Sequence, residues 1–74
     1  MALEVITSPL PGKIVSVKVS AGQKVKEGDL LLIIEAMKME NEIVAPVTGT
    51  VTAVAVTADK TVQIGDNLVS IEEG

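Results

Sequence analysis

The run Ile14-Val15-Ser16-Val17-Lys18-Val19 sets Val15, Val17 and Val19 against Ser16 and Lys18 with a period of two. That is the pattern of a strand with one face in the core and the other in water. Val54-Ala55-Val56 repeats the inward valines, and Leu30-Leu31-Leu32-Ile33-Ile34 is an apolar run of strand length. Ala21-Gly22, Glu27-Gly28-Asp29 and Ile64-Gly65-Asp66 supply turn chemistry between such segments. Pro9, Pro11 and Pro46 suit strand starts or edges, where a missing ladder donor does no harm. No helical stripe competes with this reading.

The pattern occurs twice. Moving Ser8–Glu35 along by 37 residues lays it on Ala45–Glu72 without a gap. Pro9, Gly12, Val17, Val19, Ala21 and Val25 then meet Pro46, Gly49, Val54, Val56, Ala58 and Val62. Gly28-Asp29, Leu31 and Ile34-Glu35 meet Gly65-Asp66, Leu68 and Ile71-Glu72. Because the glycines coincide, so do the turns. Two four-stranded halves, each apolar on one side, must bury those sides against one another, which predicts an all-β flattened barrel or sandwich of two quasi-symmetric antiparallel sheets. The same shift carries Lys38 past Gly74 and back to Met1. Lys38 is therefore expected at one end of the molecule, with both termini at the other.

Composition narrows the function. The 74 residues read as a single domain, residues 1–74, without cysteine, histidine or any aromatic residue. Disulfides and thiolate metal sites are thereby excluded, and the core is left to Val, Ile, Leu, Ala and Met. The longest apolar run, Leu30–Ile34, is far short of the roughly 20 residues a spanning helix needs. No basic segment followed by an apolar stretch opens the chain, so a cytoplasmic module with no direct membrane insertion is expected. Ten acids against six lysines give a net charge of −4, and the lysines are scattered. Nucleic-acid binding does not fit that distribution.

With no histidine or cysteine and no serine beside a plausible base, an unaided hydrolase or transferase has no machinery. Lys13, Lys18, Lys24, Lys26 and Lys60 read as solvated charges on strand surfaces. Glu35, Glu40 and Glu42 read as a solvated rim rather than a metal site, and Glu35 and Glu72 as matched strand ends. Lys38 differs, standing between Met37 and Met39 near the midpoint of a duplicated chain. Methionines commonly plug core gaps, but the turn should expose Met37.

Glu35-Ala36-Met37-Lys38-Met39, preceded by Leu30–Ile34 and followed by Glu42-Ile43-Val44-Ala45-Pro46, closely resembles the attachment sequence of biotinyl carrier domains. Pro9-Leu10-Pro11-Gly12 and Gly49-Thr50-Val51 fit the same pattern, so the resemblance covers nearly the full chain. It implies that Lys38 carries biotin through an amide and that Glu35, Ala36, Met37 and Met39 complete the attachment motif. It implies a non-catalytic carrier that takes a carboxyl group between a biotin carboxylase and a carboxyltransferase or decarboxylase subunit, after modification by a biotin protein ligase. The implied fold, two quasi-symmetric four-stranded sheets with the lysine on an exposed hairpin, agrees with the repeat. The ungapped repeat leaves no room for the protruding insertion that some acetyl-CoA carboxylase carriers bear. A lipoyl carrier domain is the alternative of the same fold, although such domains typically show Asp-Lys-Ala where this chain has Met37-Lys38-Met39. An unmodified structural or docking module is the alternative of a different class.

Turn chemistry alone favours a bend at Glu40-Asn41, since asparagine tolerates positive φ and methionine or lysine does so poorly. The resemblance places it at Met37-Lys38 instead, and the repeat also puts Lys38 at a strand-to-strand corner. The expectation is a tight, mildly strained turn carrying Met37 and Lys38.

Overall fold

The computed structural model describes residues 2–74. Eight strands run in chain order: β1 (Leu3–Thr7), β2 (Gly12–Val17), β3 (Lys24–Val25), β4 (Leu30–Ala36), β5 (Met39–Val44), β6 (Gly49–Val54), β7 (Thr61–Val62) and β8 (Asn67–Glu73). They form two antiparallel four-stranded sheets, ordered β1-β8-β6-β3 and β5-β4-β2-β7. The 37-residue shift turns each strand of one sheet into the corresponding strand of the other, so the duplication in the sequence is a two-fold relation in space.

The loops obey the same relation. Ala45 exchanges backbone hydrogen bonds with Gly28 and Asp29, both 2.8 Å, and its mate Ser8 does so with Gly65 and Asp66, both 2.9 Å. Asp29 Oδ2 accepts from the Lys26 amide at 2.8 Å, and Asp66 Oδ2 from the Gln63 amide at 2.9 Å. Each aspartate closes its own turn locally, which is why Gly-Asp recurs in both halves. Ser8 is the buried polar residue of the core, and its hydroxyl donates to the Leu10 carbonyl at 2.6 Å.

Between the sheets lie Ile14, Val19, Val25, Leu31, Leu32, Ile34, Ala45, Val51, Val56, Val62, Leu68, Val69 and Ile71 in one apolar cluster. Its members come from both halves, so neither half has a core of its own.

Simple alternation fails at Val15. Val15 is 38% exposed, whereas Ile14 is fully buried. The pairing of β2 with β4 runs from Ile14↔Ile34 to Ser16↔Ile33, which leaves Val15 as an extra residue. A bulge of this kind shifts the face assignment by one. Val17 consequently packs against the core from a half-buried position, and Val19 is the buried valine of the three. The β6–β8 pair carries the symmetric bulge, with Thr52 as the extra residue between Val51↔Ile71 and Ala53↔Ser70.

Glu73 donates its amide to the Ala2 carbonyl at 2.8 Å, and Gly74 donates to Thr48 at 3.3 Å. Thr48 follows the end of β5, whose six residues extend roughly 20 Å from the β4–β5 turn. The carboxyl terminus and Ala2 therefore sit at the end of the 36 Å long axis opposite that turn. Met1, expected at the same corner, lies outside the described residues.

Candidate functional site: the Met37-Lys38 turn

The site begins with β4. Leu32, Ile34 and Ala36 are buried on its inner face, while Glu35 is exposed and Ile33 half-exposed on the outer one. β5 answers residue by residue: Leu32↔Ile43, Ile33↔Glu42, Ile34↔Asn41, Glu35↔Glu40 and Ala36↔Met39. Met37 and Lys38 are left as a two-residue loop with φ of 54° and 64°. Positive φ at both central positions is the type I′ condition, the geometry whose twist matches that of flanking strands. Each such residue other than glycine or asparagine costs on the order of 1–2 kcal/mol, and the surrounding ladder holds the turn against that cost.

The bend does not fall at Glu40-Asn41, and burial gives the reason. With a bend there, β4 would continue through Lys38, and its alternation of Leu32, Ile34 and Ala36 would direct the lysine inward. Burying an unpaired ammonium costs far more than two residues in the left-handed region.

Behind the turn, β2 approaches β4 closely. A Cβ on Gly12 would lie 2.5 Å from the Glu35 carbonyl oxygen and 2.7 Å from Ile34 Cγ2. Only glycine lets the start of β2 support the last residues of β4, and its mate Gly49 stands against the Glu72 carbonyl in the same way.

The expected site residues occupy one short arc. Glu35 is exposed, Ala36 is buried as the last inward anchor, Met37 is 94% exposed, Lys38 is exposed and Met39 is 67% exposed. Neither methionine fills the core. Glu35 stands opposite Glu40 on β5 and Lys13 on β2, which makes a charged outer surface beside the tip. Glu72 occupies the equivalent position in the other sheet. A groove of about 580 Å³, lined in part by Lys24, Asp29, Thr48, Glu72 and Gly74, lies at the terminal end and includes no residue of the turn. At the tip, the geometry offers a primary amine on a four-carbon stem, free to enter another protein's pocket.

Two supporting residues escaped the sequence reading. Gly12 was visible as a repeated glycine, but its close approach to β4 was not. Asn41 stands within a strand, where its low strand propensity was the available signal.

The family model described as "Biotin-requiring enzyme", which covers biotin and lipoyl domains, matches residues 4–71. Over 42 residues the chain is 67% identical to the gamma subunit of methylmalonyl-CoA decarboxylase from Veillonella parvula, covering 57% of this chain and 33% of that subunit. It superposes with a TM-score of 0.90 and 29% identity on part of a single-chain, multi-domain long-chain acyl-CoA carboxylase, covering 97% of this chain and 7% of the carboxylase. The lipoyl domain of the 2-oxoglutarate dehydrogenase complex of Azotobacter vinelandii matches with a TM-score of 0.82 and 25% identity, over 95% of this chain and 96% of that domain. This chain thus spans about a third of the decarboxylase subunit and a small part of the carboxylase. A family match over nearly the whole chain, on a fold of two related sheets with a lysine at a strained hairpin tip, makes this protein a member of the biotin/lipoyl family of biotin-requiring enzymes.

Proposed function

We propose that this chain is a biotin carboxyl carrier domain and that Lys38 is its point of biotin attachment. The observation that carries the reading is the place of Lys38 as second residue of the exposed two-residue turn closed by Ala36 and Met39. Acylation needs the amine as a free nucleophile inside the active site of a biotin protein ligase, and a hairpin apex gives that access. Glu35 and Ala36 lead β4 into the turn, and Met37 and Met39 give the lysine apolar, exposed neighbours.

Biotin joined to the Lys38 amine supplies the ring that carries a carboxyl group. The protein's part is to hold the tether. Amide formation removes the lysine charge, so the formal net charge of −4 becomes more negative by one. Tethering replaces free diffusion by a high local concentration at each partner's active site. The chain itself performs no chemistry. Its partners are the ligase, a biotin carboxylase, and a carboxyltransferase or decarboxylase subunit, in a cytoplasmic assembly; the gamma-subunit relative supports the decarboxylase reading. Among the described residues no helix is long and apolar enough to cross a membrane.

The fold likeness to a lipoyl domain favours lipoate as the second reading. Intact mass after co-expression with a biotin ligase, and separately with a lipoate ligase, decides between them. A single biotinyl increment with streptavidin capture is the expected result. A lipoyl increment instead sinks the biotin reading, and the absence of either leaves an unmodified structural module.

A further inference from the structure

Asn41 has the chemistry of a turn residue but sits inside β5, beyond the turn. It lies on the inward row with Met39 and Ile43, half-buried, opposite the fully buried Ile34. Its side-chain Nδ2 donates to two backbone carbonyls, that of Ile34 at 3.4 Å and that of Met39 at 3.3 Å. One carbonyl belongs to each arm of the hairpin, and Met39 is the residue on which the turn closes. The side chain thus forms a clasp behind the turn: its bond to Ile34 crosses to β4, and its bond to Met39 stays within β5, at the residue on which the turn closes. In the other half the equivalent position is Glu4, exposed on β1, where no turn has to be held.

Resting on the reading of Lys38 as the acceptor, we infer that Asn41 is a positioning residue for its acylation, holding the positive-φ turn in the form that a ligase accepts. The need arises from strain. Met37 and Lys38, at φ of 54° and 64°, would relax toward ordinary backbone angles if the arms behind them parted. Each long hydrogen bond alone is weak, but together they fix the first residue of β5 and reach across the ladder to Ile34, two residues before the end of β4. Loss of the clasp lowers the fraction of molecules with a competent turn, and apparent affinity falls in proportion to that fraction.

The test is steady-state kinetics of a biotin ligase on the intact unmodified domain, with the domain as the varied substrate and circular dichroism as the check on folding. Asn41→Ala is expected to raise KM roughly fivefold with kcat unchanged, the signature of a reduced competent population. Repeating Asn41→Ala in a Met37→Gly background separates positioning from general stability, because glycine takes positive φ without strain. There the same replacement is expected to raise KM by less than about twofold over the Met37→Gly parent. Should Asn41→Ala fail to fold, Asn41→Asp keeps the size, removes the donors and takes its place. An unchanged KM in the folded variant, or an equal rise in both backgrounds, overturns the inference. A parent domain that the ligase never modifies overturns the attachment reading itself, a result independent of Asn41.

Discussion

At the scale of single residues, the lysine is recognisable by its neighbours, but its accessibility depends on two residues in an unfavourable conformation. Met37 and Lys38 both have positive φ, and neither is glycine or asparagine. The motif Ala36-Met37-Lys38-Met39 was legible in the sequence, as was the exposure of Met37. Asn41 was legible only as an oddity: its turn propensity pointed to the wrong bend, because the side chain uses its donors on the ladder instead. Replacing Lys38 by arginine is expected to abolish biotin incorporation while changing stability by less than about 0.5 kcal/mol, since the site is an exposed tip and a guanidinium cannot serve as the acylated amine. Streptavidin blotting and a urea titration read the two effects. Continued capture of Lys38→Arg would assign the modification to another lysine.

Among the elements, the repeat made strand order and turns readable in advance, because a gapless 37-residue shift forces strands and turns to recur together. The faces of β2 were harder to read. Val15 looked inward by alternation, but the bulge that leaves it unpaired also brings Ile14 into the core, and a bulge of ordinary residues has no sequence signature. Internal symmetry makes a test available without a second protein. Val17→Ala and Val54→Ala, at matched half-buried positions, are expected to cost about 1 kcal/mol each. Leu31→Ala and Leu68→Ala, matched and fully buried, are expected to cost about 2–5 kcal/mol each. Urea midpoints with a common slope check both pairs, and a neutral member of either pair would contradict the two-fold packing. Gly12→Ala should cost about 1–3 kcal/mol, because its Cβ meets the Glu35 carbonyl and Ile34. Gly22→Ala meets no atom within 4 Å, so its penalty comes from φ of 92° alone. A neutral Gly12→Ala would contradict the close approach of β2 to β4.

The whole molecule places the Lys38 amine at the tip of a 36 Å body, with the described ends of the chain at the other end. Both sheets share one apolar cluster, so β4, which leads into the turn, is anchored in a core that also contains Ile71 and Leu68 of the sheet that does not bear it. Presentation of Lys38 is thus a property of the folded domain rather than of a six-residue peptide. Combining Lys38→Met with Met39→Lys tests this most directly, because the double change keeps composition, charge and apolar content while moving the amine from the turn to the first residue of β5. That one-step move redirects the side chain by a large angle, since faces alternate along a strand. The measurement is a time course of biotin incorporation for the native and exchanged domains, with circular dichroism showing both to be folded. Incorporation is expected in the native domain and lost in the exchanged one; equal rates in two folded proteins would contradict recognition through the hairpin.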